Sequence, residues 1–190
     1  MSISATPAPT AYAWPVRIRA LRRDDAPLLD RLMADMSPRS RYQRFHTPKP
    51  RLTDADRAHL TNVGPDHLAL VAVGPHDEPV GVARAVRLRE DRSLAELAVA
   101  VVDARQRQGI GSELIARLAR RASAAGVERL VARVLADSYV VGSLRRRGWR
   151  LAERDGSALT LVADAWRVAA QPAAAPTLAR RVEAPAMMGR

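Results

Sequence analysis

The chain has 190 residues, 47% of them hydrophobic and 27% charged, no cysteine, and a formal net charge of +11. That composition suits one globular domain and excludes a disordered chain, a disulfide framework, thiolate metal sites and cysteine nucleophiles, while no apolar run approaches the roughly 20 residues that cross a bilayer. The basic excess is almost all arginine, strewn through nearly every segment with Lys49 the one lysine, so it reads as a solvated basic surface and no nucleic-acid partner is expected.

In chain order, residues 1–14 ("MSISATPAPTAYAW") are small, polar and proline-punctuated, with neither the basic start nor the apolar stretch of a secretory leader. A disordered extension and a cytoplasmic location are expected. Residues 16–21 alternate as a half-buried strand does, and the pattern then turns helical through Leu28, Leu29, Leu32, Met33 and Met36, with Asp25 as N-cap and Pro27 in the first turn. "SPRSRYQRF" predicts a second helix opened by Ser37, and "TDADRAHLTNV" a third opened by Thr53. Strands follow at 67–73, 80–88 and 94–102, the first two divided by the breaker cluster "GPHDEP". A long helix with apolar positions Ile110, Leu114, Ile115, Leu118, Ala119 and Ala122 runs until Gly126 stops it. A strand at 129–135, a helical piece at 138–147 and two strands around "GWRLAE" and "SALTLVA" complete the order. Short links between consecutive strands argue for antiparallel pairing, hence a mixed α/β sheet flanked by helices. The expected domain spans residues 15–164, with residues 165–190 as a flexible tail rich in alanine, proline and arginine.

"RQRQGIGSELI" (105–115) is where chemistry enters. A strand that runs through a glycine turn into a helix aims unpaired N–H groups and the positive end of the helix dipole at one point, which makes an anion site. Gly109 and Gly111 would let a phosphate reach the backbone. No lysine follows as a Walker-type loop demands, and Leu114 stands where a dinucleotide fingerprint needs glycine. By themselves the glycines favour a plain strand-to-helix turn over an anion site.

The longer pattern Gln106-x-x-Gly109-x-Gly111 after an apolar strand resembles the [QR]-x-x-G-x-[GA] signature of the GNAT acyltransferase superfamily. The order of elements along 16–163 is similar to that fold, and "RSRYQRF", "LTDADRAHLTNV" and "RRRGWR" look like the acetyltransferase domain of bacterial Pat-type protein lysine acetyltransferases. The resemblance implies a mostly antiparallel GNAT sheet, acetyl-coenzyme A as co-substrate, no metal, and direct acetyl transfer to an amine. It also implies that the amides of Arg107, Gln108, Gly109, Ile110, Gly111 and Ser112 hold the pyrophosphate, that Gln106 shapes the loop, and that the backbone of Val99, Ala100 and Val101 meets the pantetheine arm.

Glu96 is the candidate base. On the strand at 94–102 it shares a face with Ala98 and Ala100, a carboxylate beside two small residues, and it lies where the resemblance places a general-base glutamate. The competing reading is a strand carboxylate paired across to Arg84 or Arg87. The family's tyrosine acid has no counterpart, since Leu144 holds that position and Tyr139 is out of register. Tyr42 and Phe45 fit either an acceptor cleft or the core, and His46, His59, His67 and His76 read as surface or loop residues. The acceptor by resemblance is a protein lysine. A small amine, or a weakly catalytic acyl-coenzyme A-binding regulator, stays open, and the oligomeric state is not legible.

Overall fold

A computed structural model describes residues 16–171. Seven strands, β1 (Arg17–Ala20), β2 (His67–Val73), β3 (Pro79–Arg87), β4 (Leu94–Val101), β5 (Arg129–Leu135), β6 (Arg150–Asp155) and β7 (Ala158–Asp164), form one sheet in the order β1-β2-β3-β4-β5-β7-β6. Six helices accompany them: α1 (Ala26–Ala34), α2 (Pro38–Phe45), α3 (Asp54–Thr61), α4 (Ile110–Ala124), α5 (Val140–Arg146) and α6 (Ala165–Ala169). Every neighbouring strand pair is antiparallel except β4 and β5. No helix among the described residues is long and apolar enough to cross a membrane.

The expected alternation of α and β elements is present throughout, and local chemistry explains most boundaries. Ser37 caps α2 by accepting from the Ser40 amide at 3.2 Å, and Thr53 closes a capping box with Asp56. Asp25, the expected cap of α1, makes no such bond. Its carboxylate instead takes both guanidinium arms of Arg19, at 2.6 and 2.8 Å, and the Arg22 amide at 2.7 Å. A bidentate charge-assisted pair outweighs one capping hydrogen bond.

The core lies between the sheet and α4 on one side and beneath α1 on the other, with Leu70, Leu114, Leu118, Leu130 and Leu161 at most 1% exposed. Gly81 lets α4 come close. A Cβ there would stand 3.1 Å from the Ala100 carbonyl and 3.2 Å from Leu114 Cδ1.

Two expectations need correction. The ordered domain continues past residue 164: α6 lies on α4 with Ala165 and Val168 buried, and Gln171 Nε2 donates to the Arg147 carbonyl at 2.6 Å. Apolar side chains at helical spacing anchor this stretch, despite its alanine-rich composition. The expected extension at 1–14 and the tail beyond residue 171 lie outside the described residues. His67, read as a surface residue, is only 9% exposed in β2, with Nδ1 bonded to the Asn62 carbonyl at 3.0 Å.

Candidate functional site

The site begins where two strands part. β4 and β5 pair in parallel over three residues, Leu94 with Arg129, Ala95 with Leu130 and Glu96 with Val131, and then diverge. β3 pairs with β4 along its length, and the bonds from the Val102 amide to the Val80 carbonyl and from the Leu88 amide to the Leu94 carbonyl fix the phase. Even-numbered residues of β4 therefore turn their backbone groups toward β3 and odd-numbered ones toward the gap. Ala100 is thus engaged with Val82, and Val101 gives its carbonyl to Gln106. Among the described residues, the backbone groups that face the gap without a strand partner are the Leu97 carbonyl, both groups of Val99 and the Val101 amide, the Leu97 amide being engaged with Val131 where Glu96 and Val131 pair. Leu97 was not marked in the sequence, because the edge of β4 that stays open depends on where β5 leaves it.

The gap widens into a cleft of about 240 Å³ that reaches from Leu97–Val101 to the start of α4 and across to Tyr139 and Ser143 near α5. Five arginines line it, Arg44, Arg105, Arg107, Arg133 and Arg147, and among the described residues no carboxylate does. The floor is apolar, with Ile110, Ile115 and Leu144 among its residues.

At the head of α4 the chain turns through left-handed geometry twice, at Arg107 (φ 59°) and Gly109 (φ 84°). The first amide to re-enter the hydrogen-bond ladder is that of Glu113, which donates to the Gly109 carbonyl at 3.0 Å. Among the described residues, the six amides from Arg107 to Ser112 donate to no protein acceptor. Such a run at a helix N-terminus inside an arginine-lined cleft offers a diphosphate both donors and charge. Gly111 is close to Val101 and Val99, where a Cβ would make ordinary contacts of 3.6 and 3.9 Å, so the fold itself does not require glycine there. The Gln108 side chain leaves the cleft, its Nε2 donating to the Ala104 carbonyl at 3.2 Å.

Gln106 ties the loop together. Its Nε2 donates to the Val101 carbonyl at 3.0 Å and to Ser40 Oγ at 3.2 Å, and its Oε1 accepts from the Tyr139 hydroxyl at 3.2 Å. Asp103 adds a second clamp, accepting from the Ser37 amide and hydroxyl at 2.8 and 2.9 Å and from Ser40 Oγ at 2.8 Å. Burial opposes its charge, yet those hydrogen bonds win and hold its carboxyl below the usual range. Burial and, less strongly, Asp103 push the Tyr139 phenol up, while Arg107, whose guanidinium lies 5.5 Å over its ring, pulls it down.

These features match a known pattern. A model of the acetyltransferase (GNAT) family matches residues 29–148. The chain belongs to the GNAT acetyltransferase family. This acetyltransferase is an acyl-coenzyme A-dependent N-acetyltransferase, and acetyl-coenzyme A is the family's co-substrate. Its fold is similar to the GNAT domain of S. lividans PAT, with 28% identity and a TM-score of 0.74 over 78% of this chain and 90% of that one. A cAMP-binding acyltransferase from Mycobacterium smegmatis is 27% identical, with a TM-score of 0.54, over 79% of this chain and 44% of that chain. An N-acetyltransferase from Staphylococcus aureus Mu50 shares the fold at 20% identity, with a TM-score of 0.62 over 79% of this chain and 98% of that one.

Glu96 of the acetyltransferase is exposed, at the last paired position before the strands separate. Among the described residues it forms no ion pair, so the expected alternative of a strand salt bridge with Arg84 or Arg87 is not realised. Arg87 bonds instead to the Arg92 and Ala125 carbonyls. Phe45 packs against the core, whereas Tyr42 is 44% exposed. Tyr139, set aside in the sequence as out of register, reaches the cleft from the start of α5. Leu144, at the family's tyrosine position, is buried.

Proposed function

We propose that this acetyltransferase passes the acetyl group directly from acetyl-coenzyme A to the side-chain amine of a protein lysine, with Glu96 taking the amine's proton. The observation that carries the reading is the run of six amides, Arg107 to Ser112, without a protein acceptor among the described residues, at the head of α4 in a cleft lined by five arginines. In this reading those amides hold the pyrophosphate, Gln106 keeps the loop in shape, and the gap-facing backbone of Val99 aligns the pantetheine arm. Leu97 joins Val99 in that role. Ala100 contributes position rather than free donors, since its groups are engaged with Val82, whereas Val101 gives only its carbonyl to Gln106 and its gap-facing amide adds a donor for the arm.

When bound, the co-substrate supplies a thioester carbonyl as electrophile and a thiolate leaving group of pKa about 8.5. The protein's task is the nucleophile. A lysine ammonium of pKa about 10.4 must lose a proton, which costs about 4 kcal/mol at neutral pH. Glu96 stands at the mouth of the gap with its carboxylate free of ion pairs, able to accept that proton directly or through one water. Guanidinium groups nearby disfavour a second cation and so lower the amine's pKa in place. The nitrogen–carbon bond forms and the carbon–sulfur bond breaks; of the two protons that the ammonium sheds on becoming an amide, one passes to Glu96 and the other, through solvent, to the departing thiolate.

The similarity to the GNAT domain of S. lividans PAT supports a protein acceptor. Incubation with acetyl-coenzyme A and a panel of lysine peptides, read by mass spectrometry and thiol release, tests it. Acetyl-lysine with matching coenzyme A release is the expected result. Release with small amines alone, or none at all, overturns the lysine assignment.

A further inference from the structure

Glu96 is surrounded by unneutralised positive charge. Arg84 sits on β3 opposite Ala98, so it projects from the same sheet face as Glu96 and lies diagonally across from it. Val131 stands opposite Glu96, which puts Arg133, two residues on, on that face too. Arg44 comes in from α2 and lines both the main cleft and a small apolar pocket shared with Arg84, Phe45 and Ala100.

Neither Arg44 nor Arg84 forms an ion pair among the described residues. Arg84 donates to His59 Nε2 at 2.8 Å, and the Arg44 guanidinium lies 4.9 Å over the Phe45 ring. Burial, together with Arg84, lowers the Arg44 pKa to about 10, with Glu96 pulling the other way, and burial lowers Arg84 as well. Both guanidinium groups are half-buried with donors left open, so an anion arriving between them would find two partly shielded, charge-assisted partners. Glu96, itself exposed, pairs with neither among the described residues.

We propose that the acceptor carries a carboxylate close to its reactive amine, and that Arg44 and Arg84 grip that carboxylate while the amine faces Glu96. The inference rests on the amine-acetylating reading above and specifies which acceptors it admits. Polycationic amines such as spermidine, and lysines flanked by basic residues, meet three arginines and are disfavoured. The carboxylate has two sources: an aspartate or glutamate beside the lysine of a protein, or the α-carboxylate of a free amino acid.

The test uses binding to the whole chain, so that it does not depend on turnover. Fluorescent peptides with norleucine in place of the acceptor lysine, flanked by glutamate, alanine or arginine, are titrated by anisotropy at fixed salt. The glutamate peptide should bind about tenfold tighter than the alanine one, the size of one good charge-assisted contact, and the arginine peptide weakest. Arg44→Gln and Arg84→Gln should each cut that ratio to about threefold or less. Arg150→Gln, on the exposed strand β6, should leave it intact. Free glutamate competing at millimolar concentration assigns the site to a small acceptor, and failure to compete assigns it to a protein. Equal binding of the three peptides to the unaltered chain overturns the proposal, and that comparison needs no variant to fold. A glutamate preference that survives in the Arg44→Gln/Arg84→Gln pair also overturns it. Selective binding without acetylation would count against the lysine reading alone, and acetylation without selectivity against this inference alone.

Discussion

Gln106 Nε2 donates to the Val101 carbonyl at 3.0 Å, closing the end of β4 onto the loop that precedes α4. The same amide group reaches Ser40 and Tyr139, so one side chain joins three segments around the cleft. Gln106→Ala removes all three bonds and leaves a strand carbonyl unpaired. The expected loss is about 1–2 kcal/mol of stability in urea titrations, with acetyl-coenzyme A affinity reduced about tenfold by calorimetry. Wild-type affinity in this variant would remove Gln106 from its shaping role.

The two loop glycines should behave differently. Gly109→Ala forces a side chain into φ 84° and should destabilise the fold by about 1–2 kcal/mol while weakening coenzyme binding. Gly126→Ala meets the same strain at φ 86° beyond the far end of α4, with no atom within 4 Å of the added Cβ, and should destabilise without touching affinity. Gly111→Ala gains helix propensity and meets only ordinary contacts, so the melting temperature should hold or rise. If that position lies against phosphate, affinity falls all the same. A stable, tight-binding Gly111→Ala protein would place the ligand elsewhere.

Glu96→Gln keeps size and hydrogen bonding but cannot take a proton. Turnover should fall about 100-fold or more at neutral pH, with the acetyl-coenzyme A dissociation constant within about twofold of the original. Raising the pH supplies neutral amine and should recover part of the rate in the variant. A variant as fast as the original would end the base assignment.

Acid should weaken the fold in a defined window. Burial, reinforced by Arg84, lowers the His67 pKa to about 4, and burial followed by nearby arginines also lowers His46 and His59. These groups are neutral in the fold but protonate near 6.5 when unfolded, so the unfolded chain binds more protons between those values. Stability should therefore be level above pH 6.5 and fall as the pH drops toward 4, with His67 contributing on the order of 2–3 kcal/mol. Urea titrations across that range check the slope, and His67→Gln should flatten it. Stability that rises on acidification would contradict the burial of His67.

Much of this architecture is legible along the chain, for physical reasons that differ by residue. Strand alternation and helical spacing are local, and Ser37 and Thr53 announce their helices by their own side chains. The glycine stretch is local as well, which is why the amides of Arg107 to Ser112 could be singled out. What escapes is what distant segments decide. Asp25 is drawn from its cap by Arg19, and Leu97 gains its role because β5 leaves β4 after Glu96. Arg44 and Arg84 come from segments some forty residues apart, and only the fold, with α2 laid over the sheet, brings them to one small pocket.

The amides at the head of α4 form the proposed coenzyme site, and amide hydrogen exchange reads them directly. Saturating acetyl-coenzyme A should slow exchange across residues 107–112 far more than across β6, which lies at the other end of the sheet order. Binding heat with unchanged exchange at those six residues would contradict the account, because the coenzyme would then be held somewhere else.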